Sequence, residues 1–182
     1  GPQAWGPKFN GQYFFQYDPE TQAQGTERTL WRGYDNMKDL FRTGVTTENA
    51  VTLQGGDEKG AMRLSLSRTD NKYIAPNTGY EKNSVSFNGN YQISNRIRIS
   101  TTVNYNNRSS DNLPAYGLSN GSLGYFLMFL LPNVDINWYK PTWWKGQENL
   151  KQLNPFSNWS ENPYFILNEE TNPLKSNQMV GN

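Results

Sequence analysis

The sequence predicts an all-β fold, an antiparallel transmembrane β-barrel segment, and three observations predict it. Between Val45 and Asn107 apolar and polar residues alternate, so each run has one apolar and one polar face. The runs Val45–Gln54, Ala61–Lys72, Lys82–Ile93 and Arg96–Asn107 are ten to twelve residues long. Globular strands usually run ~5–6 residues, whereas a tilted membrane-crossing strand needs ~9–11. The connections are a short turn at GGDEKG, a loop at APNTG, a short turn at SN, and then a very long excursion. Short turns on one side and long loops on the other are the asymmetry of outer-membrane barrels.

The first forty residues, rich in Gly, Pro, Gln and aromatics, read as an irregular segment. Asp35–Arg42 is predicted as a short helix, capped by Asp35 and stopped by Thr43-Gly44. In the first strand Asn49, Val51 and Leu53 share a face, with Ala50, Thr52 and Gln54 behind them. Met62, Leu64 and Leu66 stand opposite Arg63, Ser65 and Ser67. Val85, Phe87, Tyr91 and Ile93 then oppose Ser84, Ser86, Asn88, Asn90 and Gln92. Gly89 interrupts that apolar row, where it permits bending or seats an aromatic ring. Ile97, Ile99, Thr101, Val103 and Tyr105 face away from Arg98, Ser100, Thr102, Asn104 and Asn106. In the excursion from Arg108 to about Leu174, Ser122 is placed to cap a short helix running to Leu131, which Pro132 ends. Ser176–Asn182 reads as the opening of another strand.

Composition narrows the chemistry. Over 182 residues apolar types make up 35%, below the usual ~45–50%, yet aromatics reach 14%. That mixture suits a membrane barrel and equally a soluble, secreted carbohydrate-binding β-sandwich, the competing reading. Seventeen basic and sixteen acidic residues leave a net charge of +1 with no basic stripe, so no nucleic-acid partner is expected. The absence of Cys and His excludes disulfides, thiolate or imidazole metal sites and His-based triads. Gly1–Gly11 lacks the apolar core of a signal peptide, and the longest apolar run, Leu123–Leu131, is far short of the ~20 residues of a spanning helix. Gly1-Pro2 is either native or a protease scar.

WGPKFNGQ, DLFRTGVTTENAVTLQGGDEKGAMRLSLS, PNT, NPYF and MVGN, taken in that order, resemble segments of the SusC/RagA-type TonB-dependent outer-membrane transporters. WGPKFNGQ at Trp5–Gln12 is similar to that family's WGPKLDG. DLFRTGVTTENAVTLQGGDEKGAMRLSLS resembles its FFRTG, Thr/Asn-rich strand, GG turn and RLS strand. Pro76-Asn77-Thr78 mirrors PNS, Asn162-Pro163-Tyr164-Phe165 mirrors NPYW, and MVGN at Met179–Asn182 resembles RVxGN. The resemblance implies about five strands of a roughly 22-stranded barrel, with no sign here of the plug domain or TonB box. It implies residues 1–43 as an extracellular loop, 44–107 as four barrel strands, 108–174 as a long aromatic-rich extracellular loop and 175–182 as the start of the next strand. The expected setting is the bacterial outer membrane. The expected partners are membrane lipid, a SusD-like surface lipoprotein acting as a lid, TonB through the plug region, and an imported oligosaccharide or oligopeptide.

No enzyme is expected, since no pair of placed carboxylates can be nominated for hydrolysis. Asp57-Glu58 sit in a tight turn and point apart, and GGDEKG lacks the spacing of a phosphate loop. The Asp/Asn-rich loops carry oxygens of the kind calcium takes. Asp18, Glu20, Asp135, Glu148, Glu161, Glu169 and Glu170 show no ligand spacing, and no cofactor is expected. Trp138, Tyr139, Trp143, Trp144 and Trp159 are the candidate substrate- or partner-binding residues, because flat aromatic faces stack on sugars and anchor interfaces. The same rings would also serve to hold the long loop together. If the apolar rows face lipid, then Arg63, Asn88, Asn90, Arg98, Asn104 and Asn106 face the lumen.

Overall fold

The computed structural model describes residues 6–115, 117–156 and 160–182. The readings placed on Gly1-Pro2, Trp5 and Trp159 lie outside the described residues. In chain order the elements are β1 (Tyr13–Asp18), β2 (Ala23–Leu30), α1 (Asn36–Leu40), β3 (Val45–Gly56), β4 (Gly60–Lys72), β5 (Gly79–Ser94) and β6 (Ile97–Ser110). Next come α2 (Leu123–Phe129), a 3-10 turn at Ile136–Tyr139, α3 (Pro163–Asn168) and β7 (Leu174–Gly181). They form two compact units. A sheet unit holds Thr43–Leu113 with Asn172–Asn182, and a loop unit holds Gly1–Arg42 with Pro114–Thr171.

The sheet unit is one antiparallel sheet in sequence order, β3-β4-β5-β6-β7. All five strands foreseen in the sequence are present, and β5 and β6 run longer than expected, at 16 and 14 residues. Register carries the alternation across the sheet. Val51, Leu66, Val85, Tyr105 and Met179 form one cross-strand row, and Leu53, Leu64, Phe87, Val103 and Gly181 form the next. On the other face Thr52, Ser65, Ser86 and Asn104 line up, as do Ala50, Ser67, Ser84, Asn106 and Gln178. The 57–59 turn is closed by the Asp57 carboxylate, which accepts from the amides of Lys59 (2.8 Å) and Gly60 (2.9 Å). That is a turn-building role for one of the two adjacent carboxylates. At Gly89 a side chain would meet the Phe87 ring at 3.0 Å, so the ring of the same strand lies over the glycine and closes the gap in the apolar row.

What this unit lacks is a core. Val51 is 59% and Leu53 62% exposed, and Met62, Tyr91, Ile99 and Met179 are exposed as well. Ala75 is the only buried apolar side chain described in the unit. In water each such large side chain forgoes roughly 1.5–3 kcal/mol of burial. The band ends sharply toward the end of the sheet where β3 begins. There, on the same face, Arg68 pairs with Asp70 (2.9 Å) and Glu81 (3.1 Å). One row below that belt the Tyr105 hydroxyl donates to Asn177 Oδ1 (2.9 Å), and Asn107 Nδ2 donates to the same oxygen (2.9 Å).

The loop unit carries the buried core instead: Leu40, Phe126, Val134, Ile136, Tyr139, Leu153, Ile166 and Leu167. Its first stretch is not irregular as the composition suggested. β1 and β2 pair as a hairpin whose turn is held by Asp18, which accepts from the Glu20 amide (2.9 Å) and the Thr21 hydroxyl (2.7 Å). Two-faced alternation does not reveal it, because Tyr13, Phe14 and Phe15 are adjacent aromatics and β2 (AQGTERTL) is polar almost throughout. Near α1, Asp35 makes no side-chain cap. Asn36, buried, instead donates to the Val134 carbonyl and accepts from the Ile136 amide, both at 2.8 Å. Ser122 likewise precedes α2 without capping it through its side chain, and α2 stops at Phe129 rather than Leu131.

Candidate functional site

Two arrangements hold the residues singled out in the sequence. The first is the polar face of the sheet, where Arg63, Asn88, Asn90, Arg98, Asn104 and Asn106 all stand together. Arg63 is directly opposite Asn88, Asn90 opposite Ser100 and Gln92 opposite Arg98. Their amides and hydroxyls bond one another. Thr102 Oγ1 donates to Asn88 Oδ1 (3.0 Å), Ser84 Oγ to Asn106 Oδ1 (2.7 Å) and Arg98 Nη2 to Gln92 Oε1 (3.2 Å). Paired in this way they form a hydroxyl- and amide-rich surface. By strand register its charged residues are Glu48, Arg63, Lys82, Arg98 and Arg108, four cations against one anion. Lys82 and Arg108 were not singled out in the sequence because they lie at the ends of the alternating runs. Their parity with Ser84 and Asn106 was the available signal.

The second arrangement is the aromatic cluster of the loop unit. Trp138 touches the rings of Tyr17 (5.7 Å), Tyr34 (5.6 Å) and Phe156 (6.0 Å), and Tyr139 meets Phe126 edge-on at 5.0 Å. Tyr139 is 1% exposed, so its ring is a core element and is not offered to a solute. Burial, then the neighbouring Tyr17, push its phenol well above the ordinary value. Trp143 and Trp144 are half-buried and belong to a separate, smaller loop. Trp143 packs edge-on to Phe165 (5.5 Å), and the Lys151 ammonium lies 5.8 Å from the Trp144 ring. Gln22 clasps this loop, donating to the Trp143 carbonyl (3.2 Å) and accepting from the Lys145 amide (2.6 Å). Of the four described candidates, Trp138 and Tyr139 are bound into one cluster and the other two are not.

Asn162, which the sequence marks only as part of the NPYF motif, does more of the positioning. Asn162 is fully buried and uses every polar atom of its side chain. Nδ2 donates to the carbonyls of Tyr139 (2.9 Å) and Leu153 (2.7 Å), and Oδ1 accepts from the amides of Tyr164 (2.8 Å) and Phe165 (3.3 Å). It caps α3, whose first residue is Pro163, the favoured order at a helix start. The Asn-Pro pair within NPYF was the legible signal.

Among the described residues no grouping of three or more acidic side chains suited to a metal is present. One carboxyl pair stands out in the loop unit. Burial first, then the Glu170 carboxyl beside it, raise Glu161 above the ordinary glutamate value. Gly121 leaves room for Glu170, since a Cβ there would sit 2.9 Å from its Oε2. A raised pKa means that the folded state holds the proton more tightly than the unfolded one. The Glu161 contribution is therefore complete below the ordinary glutamate value of 4.5 and is lost as pH rises through the raised one. Glu161→Gln is expected to remove this part of the pH dependence, seen as a melting temperature that changes less as pH rises above 4.5.

No protein-family model matches the chain, and no curated protein matches it.

Proposed function

We propose that this chain forms part of the barrel wall and extracellular loops of a SusC/RagA-like, TonB-dependent importer in the bacterial outer membrane. On this reading the complete protein takes up an oligosaccharide or oligopeptide, is covered by a SusD-like lipoprotein lid, and is driven by TonB through a plug region. The observation that carries the reading is the two-faced sheet. Its strands β3 to β6 run 12, 13, 16 and 14 residues, with an exposed apolar band behind a polar face. From Ile97 to Tyr105 the band spans about 27 Å along β6, or about 20 Å at a tilt of ~40°, most of the ~25 Å apolar belt of a barrel. Tyr91 and Tyr105 stand toward its two ends, where interfacial aromatics gather. The ordered motifs support the family assignment. A carbohydrate-binding sandwich would need a second sheet over Val51, Leu64, Phe87 and Ile99, and the sheet unit contains one sheet.

The test is extraction. The native polypeptide carrying this sequence is expected to leave outer membranes only in detergent, with a denatured mass several times 20.9 kDa and a lipidated subunit co-purifying. A polypeptide near that mass, released without detergent and without such a partner, would overturn the reading.

A further inference from the structure

One cross-strand row of the polar face is unlike the others. It runs Glu48 on β3, Thr69 on β4, Lys82 on β5, Arg108 on β6 and Ser176 on β7. Lys82 and Arg108 are directly opposite each other, an arrangement in which like charges repel. Neither takes part in an ion pair among the described residues. The single anion of the row, Glu48, is two strands from Lys82 and three from Arg108, about 10 and 14 Å at ordinary strand spacing. Asp70 and Glu81, one residue further along, belong to the opposite face and are both held by Arg68. The Arg108 guanidinium is fixed rather than free, lying 4.4 Å over the Tyr80 ring, which in turn packs on Tyr73. Its Nε is shielded from solvent and has no hydrogen-bond partner among the described residues.

A pre-positioned guanidinium beside an exposed ammonium, with a hydroxyl on either side, is a receptor for an oxyanion. We propose that Lys82 and Arg108, flanked by Thr69 and Ser176, form an anion-binding site that takes a carboxylate or sulfate carried by an acidic oligosaccharide. The site rests on the reading of the polar face as the lumen wall, and it narrows the solute of that reading. Sugar is favoured over peptide by what surrounds the row. Ser67, Ser84, Asn106 and Gln178 lie on the side toward the turns, and Asn71, Tyr80 and Ser110 on the other. These groups match a hydroxyl-rich chain and offer little to aliphatic side chains. The row lies toward the end of the sheet where the β4–β5 loop and the long excursion emerge. In the proposed importer that end is the mouth.

The experiment uses the complete native polypeptide in lipid vesicles and isothermal titration with three probes: trigalacturonate, neutral maltotriose and triglutamate. Trigalacturonate is expected to bind, more weakly as salt rises from about 50 to 300 mM, while maltotriose does not. Lys82→Gln with Arg108→Gln is expected to weaken trigalacturonate at least about tenfold, and Lys175→Gln, on the opposite face, to leave it unchanged. Equal binding of the acidic and neutral trimers, or an unaffected double variant, would overturn the site. So would triglutamate binding without trigalacturonate, which would assign the cations to an acidic peptide. A wild type that ignores all probes while the double variant melts higher would likewise overturn it, showing repulsion without a solute. Flotation of the same vesicles reports on the membrane separately. Lost binding with flotation intact removes the site alone, and failure to float removes the reading beneath it.

Discussion

Phe87→Arg is expected to destabilise the complete protein folded in a bilayer by roughly 2–4 kcal/mol, whereas Ser86→Arg, one residue earlier, is expected to be tolerated. Phe87 stands in the middle of the apolar band, between Leu64 and Val103. Ser86 points the other way, between Ser65 and Asn104. A charged side chain on the lipid face near the bilayer midplane costs roughly 2–4 kcal/mol, and one on the lumen face far less. Urea titration of folding into vesicles reads that difference directly. The paired design removes the ambiguity of a single variant, because both substitutions add the same group to the same strand. Equal tolerance of both would show that the apolar face does not meet lipid, and the barrel reading would fall with it.

The same alternation explains why the sheet was legible and the rest was not. A strand buried or solvated on one side writes its period into the chain, and a single register slip would turn every apolar residue around. Val51, Leu66, Val85 and Tyr105, each on the apolar face its alternation assigned, therefore align across four strands. The β1–β2 hairpin carries no such period. Its strands have aromatics on both sides or polar groups throughout, and the turn is built by Asp18, a residue equally at home in a coil. In the loop unit α1 and α2 were legible within two residues of their bounds, but the packing that joins them was not, for a different reason. Its core is assembled from Leu40, Val134, Leu153 and Leu167, side chains scattered along the chain with neither helical nor strand spacing. Buried Asn36 ties down the Val134 segment and buried Asn162 the Leu153 segment through backbone hydrogen bonds, and of the two only Asn162, followed by Pro163, leaves a local pattern.

The aromatic residues show how one compositional signal carries two readings, binding and loop packing. Trp138, Tyr139, Trp143 and Trp144 were drawn together by residue type alone. Flat rings bind sugars, but they also fill cores and close loops, and the structure uses Tyr139 and Trp138 in that way, packed on Tyr17, Tyr34, Phe126 and Phe156. The Lys82–Arg108 pair went unnoticed for the opposite reason. Neither residue is unusual alone, and only the register brings them side by side.

Asn162 is where the loop unit is most sensitive. Asn162→Ala is expected to cost about 2–4 kcal/mol, combining the buried Leu153 carbonyl left without its donor at roughly 1–3 kcal/mol with a lost cap of about 1 kcal/mol, while the Tyr139 carbonyl keeps the Thr142 amide (3.0 Å). Asn162→Asp separates the two contributions. Aspartate keeps the acceptor that caps α3 through the Tyr164 and Phe165 amides, but it sets an anion against the Tyr139 and Leu153 carbonyls at a fully buried position. If the donor role dominates, Asp is expected to be at least as damaging as Ala, since a buried unpaired charge costs more than an empty site. Hydrogen exchange of the Leu153, Tyr164 and Phe165 amides would then accelerate in both variants, while β4 and β5, which share no hydrogen bond with Asn162, keep their protection. An Asp variant as stable as the wild type would reduce Asn162 to a helix cap. The Asn-Pro pair would then serve only to start α3, and the joining of the 139 and 153 segments would rest on the backbone bonds from the Leu153 amide to the Thr142 carbonyl (2.6 Å) and from the Trp144 amide to the Lys151 carbonyl (3.0 Å).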